Sequence, residues 1–143
     1  MPYILNKSNS FFLFGARGTG KTTFLKQFLV SEDSLVIDLL NEDIFQQFSV
    51  RPQALNDYIV QHSVTSDWVA IDEIQRVPSL LNVVHSLIET KGIKFALTGS
   101  SARKLKRQGV NLLAGRAFVY SLFPLTRMEL KSRFSLNDAL QWG

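Results

Sequence analysis

The sequence has no cysteine. Disulfide frameworks and thiolate metal sites are therefore excluded, and the absence fits a reducing cytoplasm, the expected location. Histidine is almost as scarce. His62 and His85 stand far apart in the chain, so neither suggests a metal pair, and nothing resembles a Ser-His-Asp arrangement. No apolar run approaches the roughly 18 residues needed to cross a bilayer. The opening "MPYILNKSNSFFLFG" lacks a basic segment followed by a continuous apolar one, so no secretory signal is expected. Internal repeats and low-complexity tracts are absent as well.

What is present reads as an ordinary globular chain. Its 143 residues are 45% hydrophobic and 20% charged, which suggests one domain able to bury about two-thirds of its unfolded surface. The net charge of +4 favours anionic partners without choosing among nucleotides, nucleic acid and acidic proteins.

Short apolar runs alternate with helical patterns. "SFFLFG" (10–15), "SLVIDLL" (34–40), "WVAIDEI" (68–74), "KFALTGSS" (94–101) and "AFVYSLF" (117–123) read as strands. Between them, 22–30 carries Phe24, Leu25, Phe28 and Leu29 at helical spacing. Residues 52–62 repeat Leu55, Tyr58 and Ile59 behind Pro52, and 78–92 place Leu81, Val84, Leu87 and Ile88 on one face. This alternation implies an α/β fold of right-handed crossovers, with a parallel sheet of about five strands covered on both faces. The strands are apolar throughout, as expected when both faces are buried. Ligands in such sheets sit beyond the carboxyl ends of the strands, where Gly15, Asp72 and Thr98 all fall.

The stretch "FGARGTGKTT" (14–23) has the G-x-x-x-x-G-K-[ST] spacing of a phosphate-binding loop, between an expected strand and an expected helix. Gly15, Gly18 and Gly20 let the backbone turn tightly around an anion, and successive N–H groups with the helix N-terminus would cradle phosphates. Lys21 would reach the β- and γ-phosphates and the Thr22 hydroxyl would hold Mg²⁺. Ala16, Arg17, Thr19 and Thr23 complete the expected binding segment, with Arg17 at its solvated tip.

Asp72 and Glu73 leave the third strand together. The first suits Mg²⁺, and a carboxylate beside it can polarise a water for in-line attack on a γ-phosphate. Adjacent strand residues point to opposite faces, so both can act only where the strand ends. Thr98 and Ser100 close the fourth strand. Each is a candidate sensor of the γ-phosphate or the water, and the alternative is a turn that caps the next helix. Arg116 precedes the fifth strand and is either an arginine near the nucleotide or half of a structural salt bridge. Arg76 either pairs with the two acids or faces solvent. The run Arg103, Lys104, Lys106, Arg107 suggests nucleic acid, but without interleaved aromatics it reads first as a solvated helix face. "TKGI" (90–93) has Ile93 where a guanine-reading motif needs an aspartate, which leaves adenine as the default base.

Four segments in order, "FFLFGARGTGKTT", "VAIDEIQRVPSLL", "FALTGSSARKL" and "LLAGRAFVYSLFPLTRMEL", resemble prokaryotic AAA-family ATPases of the archaeal and STAND-related type. In that group a P-loop domain precedes a C-terminal region that is often nuclease-like. The resemblance spans about residues 10–130. It implies a three-layer αβα sandwich with strand order 5-1-4-3-2. It also implies Lys21 and Thr22 as Walker A, Asp72 and Glu73 as Walker B, Thr98 or Ser100 as sensor, and Arg116 near the nucleotide. Many members carry proline at the position of Ala16.

The expectation is an ATP- and Mg²⁺-binding ATPase with Glu73 activating water. A slow nucleotide switch and a small-molecule kinase use the same loop, though Glu73 beside Asp72 argues against the kinase. Residues 1–124 are expected to form the ATPase core. Residues 125–143, with Met128, Leu130, Phe134, Leu136, Leu140 and Trp142, are expected to begin a lid or C-terminal region that the chain does not complete. That missing region, an oligomer and, more weakly, DNA are the partners considered; a membrane is not.

Overall fold

A computed structural model describes residues 9–29, 34–62, 68–107 and 113–122. The expected ends of the first helix (Val30) and last strand (Phe123), the side chain of Phe28, and the segment 125–143 lie outside the described residues. Among the described residues there are five strands: β1 (Ser10–Phe14), β2 (Leu35–Asp38), β3 (Trp68–Asp72), β4 (Lys94–Gly99) and β5 (Ala117–Ser121). The helices are α1 (Lys21–Leu29), α2 (Glu42–Val50), α3 (Ala54–Gln61), α4 (Leu80–Lys91) and α5 (Ala102–Arg107).

All pairings are parallel and the order is β2-β3-β4-β1-β5, the expected order read from the other edge. From β1 the chain crosses leftward to β2, then returns rightward through β3 and β4 to β5. With right-handed crossovers, that reversal sends α1 to one face of the sheet and the later helices to the other.

The packing follows from strand alternation. Phe12, Phe14, Val69, Ile71, Phe95 and Leu97 face the layer of α2 to α5, where Phe48, Leu55, Leu80, Val84 and Leu105 meet them. Phe11, Leu13, Trp68, Ala70 and Ala96 face α1 and its Phe24, Leu25 and Leu29. Residues 11–14 of β1, 68–71 of β3 and 95–97 of β4 are therefore apolar on both faces of the sheet. The two edge strands are not buried in this way: Val36 on β2 and Phe118 and Val119 on β5 are 45%, 45% and 49% exposed. Among the described residues each edge strand pairs on one side only.

One helix went unanticipated. In α2, the Asn41 side chain accepts from the N–H groups of Asp43 (3.0 Å) and Ile44 (3.2 Å), and Glu42 and Asp43 complement the helix dipole in the first turn. Its buried contact is Phe48, which meets the Tyr58 ring of α3 edge-on at 5.4 Å. At the far end of α4, Gly92 takes φ 65° and its N–H closes on the Ile88 carbonyl at 3.2 Å, a left-handed stop that favours glycine. Among the described residues no helix is long and apolar enough to cross a membrane.

Because Phe48 is fully buried and anchors α2, Phe48→Ala should cost about 3–5 kcal/mol of stability, the usual range for emptying a buried aromatic site. Urea unfolding followed by circular dichroism measures it.

Candidate functional site

The loop between β1 and α1 is closed by its own backbone. The Gly15 N–H donates to the Gly99 carbonyl (3.1 Å), which ties the loop to the end of β4, and the Leu122 N–H donates to the Phe14 carbonyl (2.6 Å). A Cβ on Gly15 would lie 2.5 Å from the Leu122 carbonyl oxygen, so only glycine fits there. Gly18 and Gly20 take φ 80° and 89°, the left-handed region that lets successive N–H groups turn toward one centre. Ala16 supplies the hub of the turn: its carbonyl accepts from the Thr19 N–H (3.3 Å), the Thr19 hydroxyl (2.7 Å) and the Lys21 ammonium (3.1 Å). Lys21 also donates to the Gly15 carbonyl at 2.6 Å. It is 5% exposed, so its charge is held inside the loop. Arg17 lies exposed at the tip and Thr23 lies exposed beside Thr22.

Thr22, one residue into α1, donates to Asp72 Oδ2 at 2.8 Å. Asp72 Oδ1 accepts a short hydrogen bond from the Thr98 hydroxyl. The Thr98 oxygen in turn accepts from the Glu73 N–H at 3.0 Å. Asp72 and Thr98 are buried, and each polar atom of this chain is matched, as buried carboxylates and hydroxyls require. The chain joins the start of α1 to the ends of β3 and β4. The structure thus brings Gly15 to Thr22, Asp72, Glu73 and Thr98 to one edge of the sheet.

Glu73 shows how two successive acids can share that edge. Its backbone sits at φ 62°, ψ 49°, a left-handed conformation that costs a non-glycine residue on the order of 1–3 kcal/mol. The strand's alternation is broken there. Gln75, two residues on, donates from Nε2 to Glu73 Oε2 in a short hydrogen bond. Gln75 escaped the reading of the sequence, and its only local signal is an amide two residues after the acid in "DEIQ". Ser100 follows β4, and its hydroxyl is buried with no hydrogen-bond partner among the described residues.

Arg76 takes neither of its two expected places, and Arg116 takes the second of its own, a structural salt bridge. Arg76 does not pair with Asp72 or Glu73. Its guanidinium donates to the Leu39 carbonyl (3.0 Å), approaches Glu42 at 3.9 Å and lies over the Phe45 ring at 4.3 Å, so it ties β3 to the start of α2. Arg116 is not near the loop within this chain. It precedes a parallel strand whose first residue, Ala117, is level with Ser10 at the start of β1. Five residues of strand, about 16 Å at roughly 3.3 Å each, therefore separate it from the edge that carries the loop. There it forms a short ion pair with Glu89 on α4. Hydrogen bonding to the Arg116 guanidinium, and then its charge, hold the Glu89 carboxyl below its ordinary value.

The cations of α5, Arg103, Lys104, Lys106 and Arg107, are all exposed around the buried Leu105, a solvated face. His62 bonds the Tyr58 carbonyl of its own helix at 2.9 Å and stacks on the Tyr58 ring. Among the described residues no group of three or more His, Cys, Asp or Glu side chains could hold a metal ion by itself.

A family model described as an AAA domain matches residues 7–131. The fold is similar to the Walker-type ATPase PABY2304 of Pyrococcus abyssi, with a TM-score of 0.55 and 16% identity over 92% of this chain and 57% of that one. Domain III of the Thermotoga maritima replication initiation protein DnaA also aligns, with a TM-score of 0.47 and 18% identity over 83% of this chain and 57% of that one. The chain thus spans a little over half the length of these solved structures. No curated protein matches it in sequence. With the family model covering most of its length, the chain belongs to the AAA domain family, and its parallel sheet and phosphate loop are those of a P-loop ATPase domain.

Proposed function

We propose that this domain binds ATP with Mg²⁺ and hydrolyses it, with Glu73 as the base that activates water. The observation that carries the reading is the hydrogen-bonded chain Thr22–Asp72–Thr98–Glu73 N–H beside the loop. It sets a hydroxyl and a carboxylate next to each other at the first turn of α1 and a second carboxylate at the same sheet edge.

The residues fit Mg²⁺. Thr22 Oγ1 and Asp72 Oδ2 are hard oxygen donors 2.8 Å apart, and Mg²⁺ is usually held by one or two carboxylates together with substrate phosphates and water. Bound there, the ion would offset charge on the phosphate oxygens. The protein's own residues account for the rest. The loop N–H groups and the α1 N-terminus bind the phosphates. Lys21 exchanges its contacts with the Gly15 and Ala16 carbonyls for phosphate oxygens. Thr98 fixes Asp72 through its hydroxyl and the Glu73 backbone through its oxygen. Glu73 accepts a proton from water as the water oxygen bonds to the γ-phosphorus and the bond to the leaving ADP oxygen breaks, releasing phosphate.

A nucleotide switch would need the same loop but no base. Glu73 favours hydrolysis, because it sets a second carboxylate beside the acid suited to Mg²⁺, at the edge that carries the loop, where a base is needed.

Lys21→Ala should weaken ATP binding by about 10- to 150-fold, the equivalent of one charged hydrogen bond at roughly 1.5–3 kcal/mol. Titration with a fluorescent ATP analogue measures it. Glu73→Gln should bind ATP as the parent does and lose about 10²–10⁴ of the hydrolysis rate, the usual contribution of a positioned base. Single-turnover phosphate release is the measurement, and a parent-like rate would move the reading to the switch. Arg116→Ala should leave ATP affinity within about twofold, because the side chain stands at the opposite edge of the sheet. The same titration checks it.

A further inference from the structure

Gln75 is a polar group at the strand-end edge to which the proposed reaction assigns no role. Its amide bridges two elements. Nε2 donates to Glu73 Oε2, and this fixes which way the amide faces, since the reverse would set a carbonyl against a carboxylate, two acceptors with no proton between them. Oε1 therefore turns toward the end of β4. There it is buried, with no hydrogen-bond partner among the described residues. It lies so close to Gly99 that a Cβ on that residue would stand 3.0 Å away. The absence of a side chain at Gly99 makes room for the amide. Gln75 gives up a hydrogen bond at one end while keeping the one to Glu73 at the other.

Glu73 needs such a hold. Its backbone is held in the left-handed conformation, and its N–H is fixed on Thr98. Neither constraint fixes the carboxylate itself, which ends a chain of three rotatable bonds whose freedom must be lost before it can act.

We propose that Gln75 is a positioning residue for the base. Its Nε2–H bond to Glu73 Oε2 orients the carboxylate so that the other oxygen, Oε1, takes the water's proton. This rests on the proposed hydrolysis and adds to it a residue outside the loop and the two acids. Gln75 touches neither nucleotide nor water; it works through Glu73.

The test uses the full-length protein and the variant Gln75→Met, which keeps the side-chain length and removes the hydrogen bond. Single-turnover phosphate release and ATP affinity are measured in the parent and in the Glu73→Gln background. Gln75→Met should slow release by about 10- to 100-fold, a part of the roughly 10²–10⁴ that a positioned base contributes. It should leave ATP affinity within about twofold and slow the Glu73→Gln protein no further, since residues acting as a unit are not additive. A second measurement needs neither turnover nor a substituted Gln75. By NMR, the Gln75 side-chain amide protons should exchange slowly in the nucleotide-free parent and quickly in Glu73→Ala. Parent-like release in Gln75→Met, equal slowing in both backgrounds, or an amide indifferent to Glu73→Ala would each overturn the inference while leaving the hydrolase reading intact. A parent that releases no phosphate would overturn both.

Discussion

The site depends on one buried carboxylate. Asp72 is 3% exposed, and an ionised group removed from water is tolerated only where hydrogen bonds replace its hydration. Both of its oxygens are satisfied, one by Thr22 and one by Thr98. These two bonds are also the link between three elements, because the donors stand on α1 and β4 and the acceptor ends β3. Loss of either donor would leave a buried acceptor unpaired. Thr98 carries a second duty, since its single proton goes to Asp72 while its lone pair receives the Glu73 N–H. The position of the proposed base is thereby slaved to the same carboxylate.

Topology explains why these groups meet at all. Parallel strands all finish at one edge, and the reversal of direction at β1 opens that edge beside the neighbouring β4. The loop after β1 spans this opening and is pinned to Gly99 across it. Two other glycine requirements have different origins. Gly15 is needed because the Leu122 carbonyl passes close by, and Gly18 and Gly20 because the turn runs through left-handed backbone. The opposite edge of the sheet has a separate economy. Arg116 and Glu89 hold the start of β5 to the end of α4 there, with no group of the phosphate loop within reach.

Much of this was legible in the residue order. The strand order followed from resemblance, the parallel sheet from alternation, and the two-sided burial of β1, β3 and β4 from unbroken apolar runs. The edge strands broke that rule because burial of an edge depends on what lies beside it. The short helix α2 carried local signals in Asn41, Glu42 and Asp43, but a single fully buried residue, Phe48, makes a weak period. Arg116 was left between two readings, and the ion pair is the one formed because α4 brings Glu89 to the start of β5.

Sequence alone determined the phosphate loop, the central strands and the acid that ends β3. Each is a local property: glycines permit the left-handed turn wherever they occur, and an apolar run buries itself in a parallel sheet where strands flank it on both sides. Tertiary structure decided the partners. That Asp72 is shared by Thr22 and Thr98, that Arg76 serves Leu39 and Glu42, and that Gln75 reaches Glu73 against Gly99 depends on side chains from separate elements converging in space. Hydrogen bonds form only within about 3 Å and along narrow directions, and no spacing along a chain specifies either.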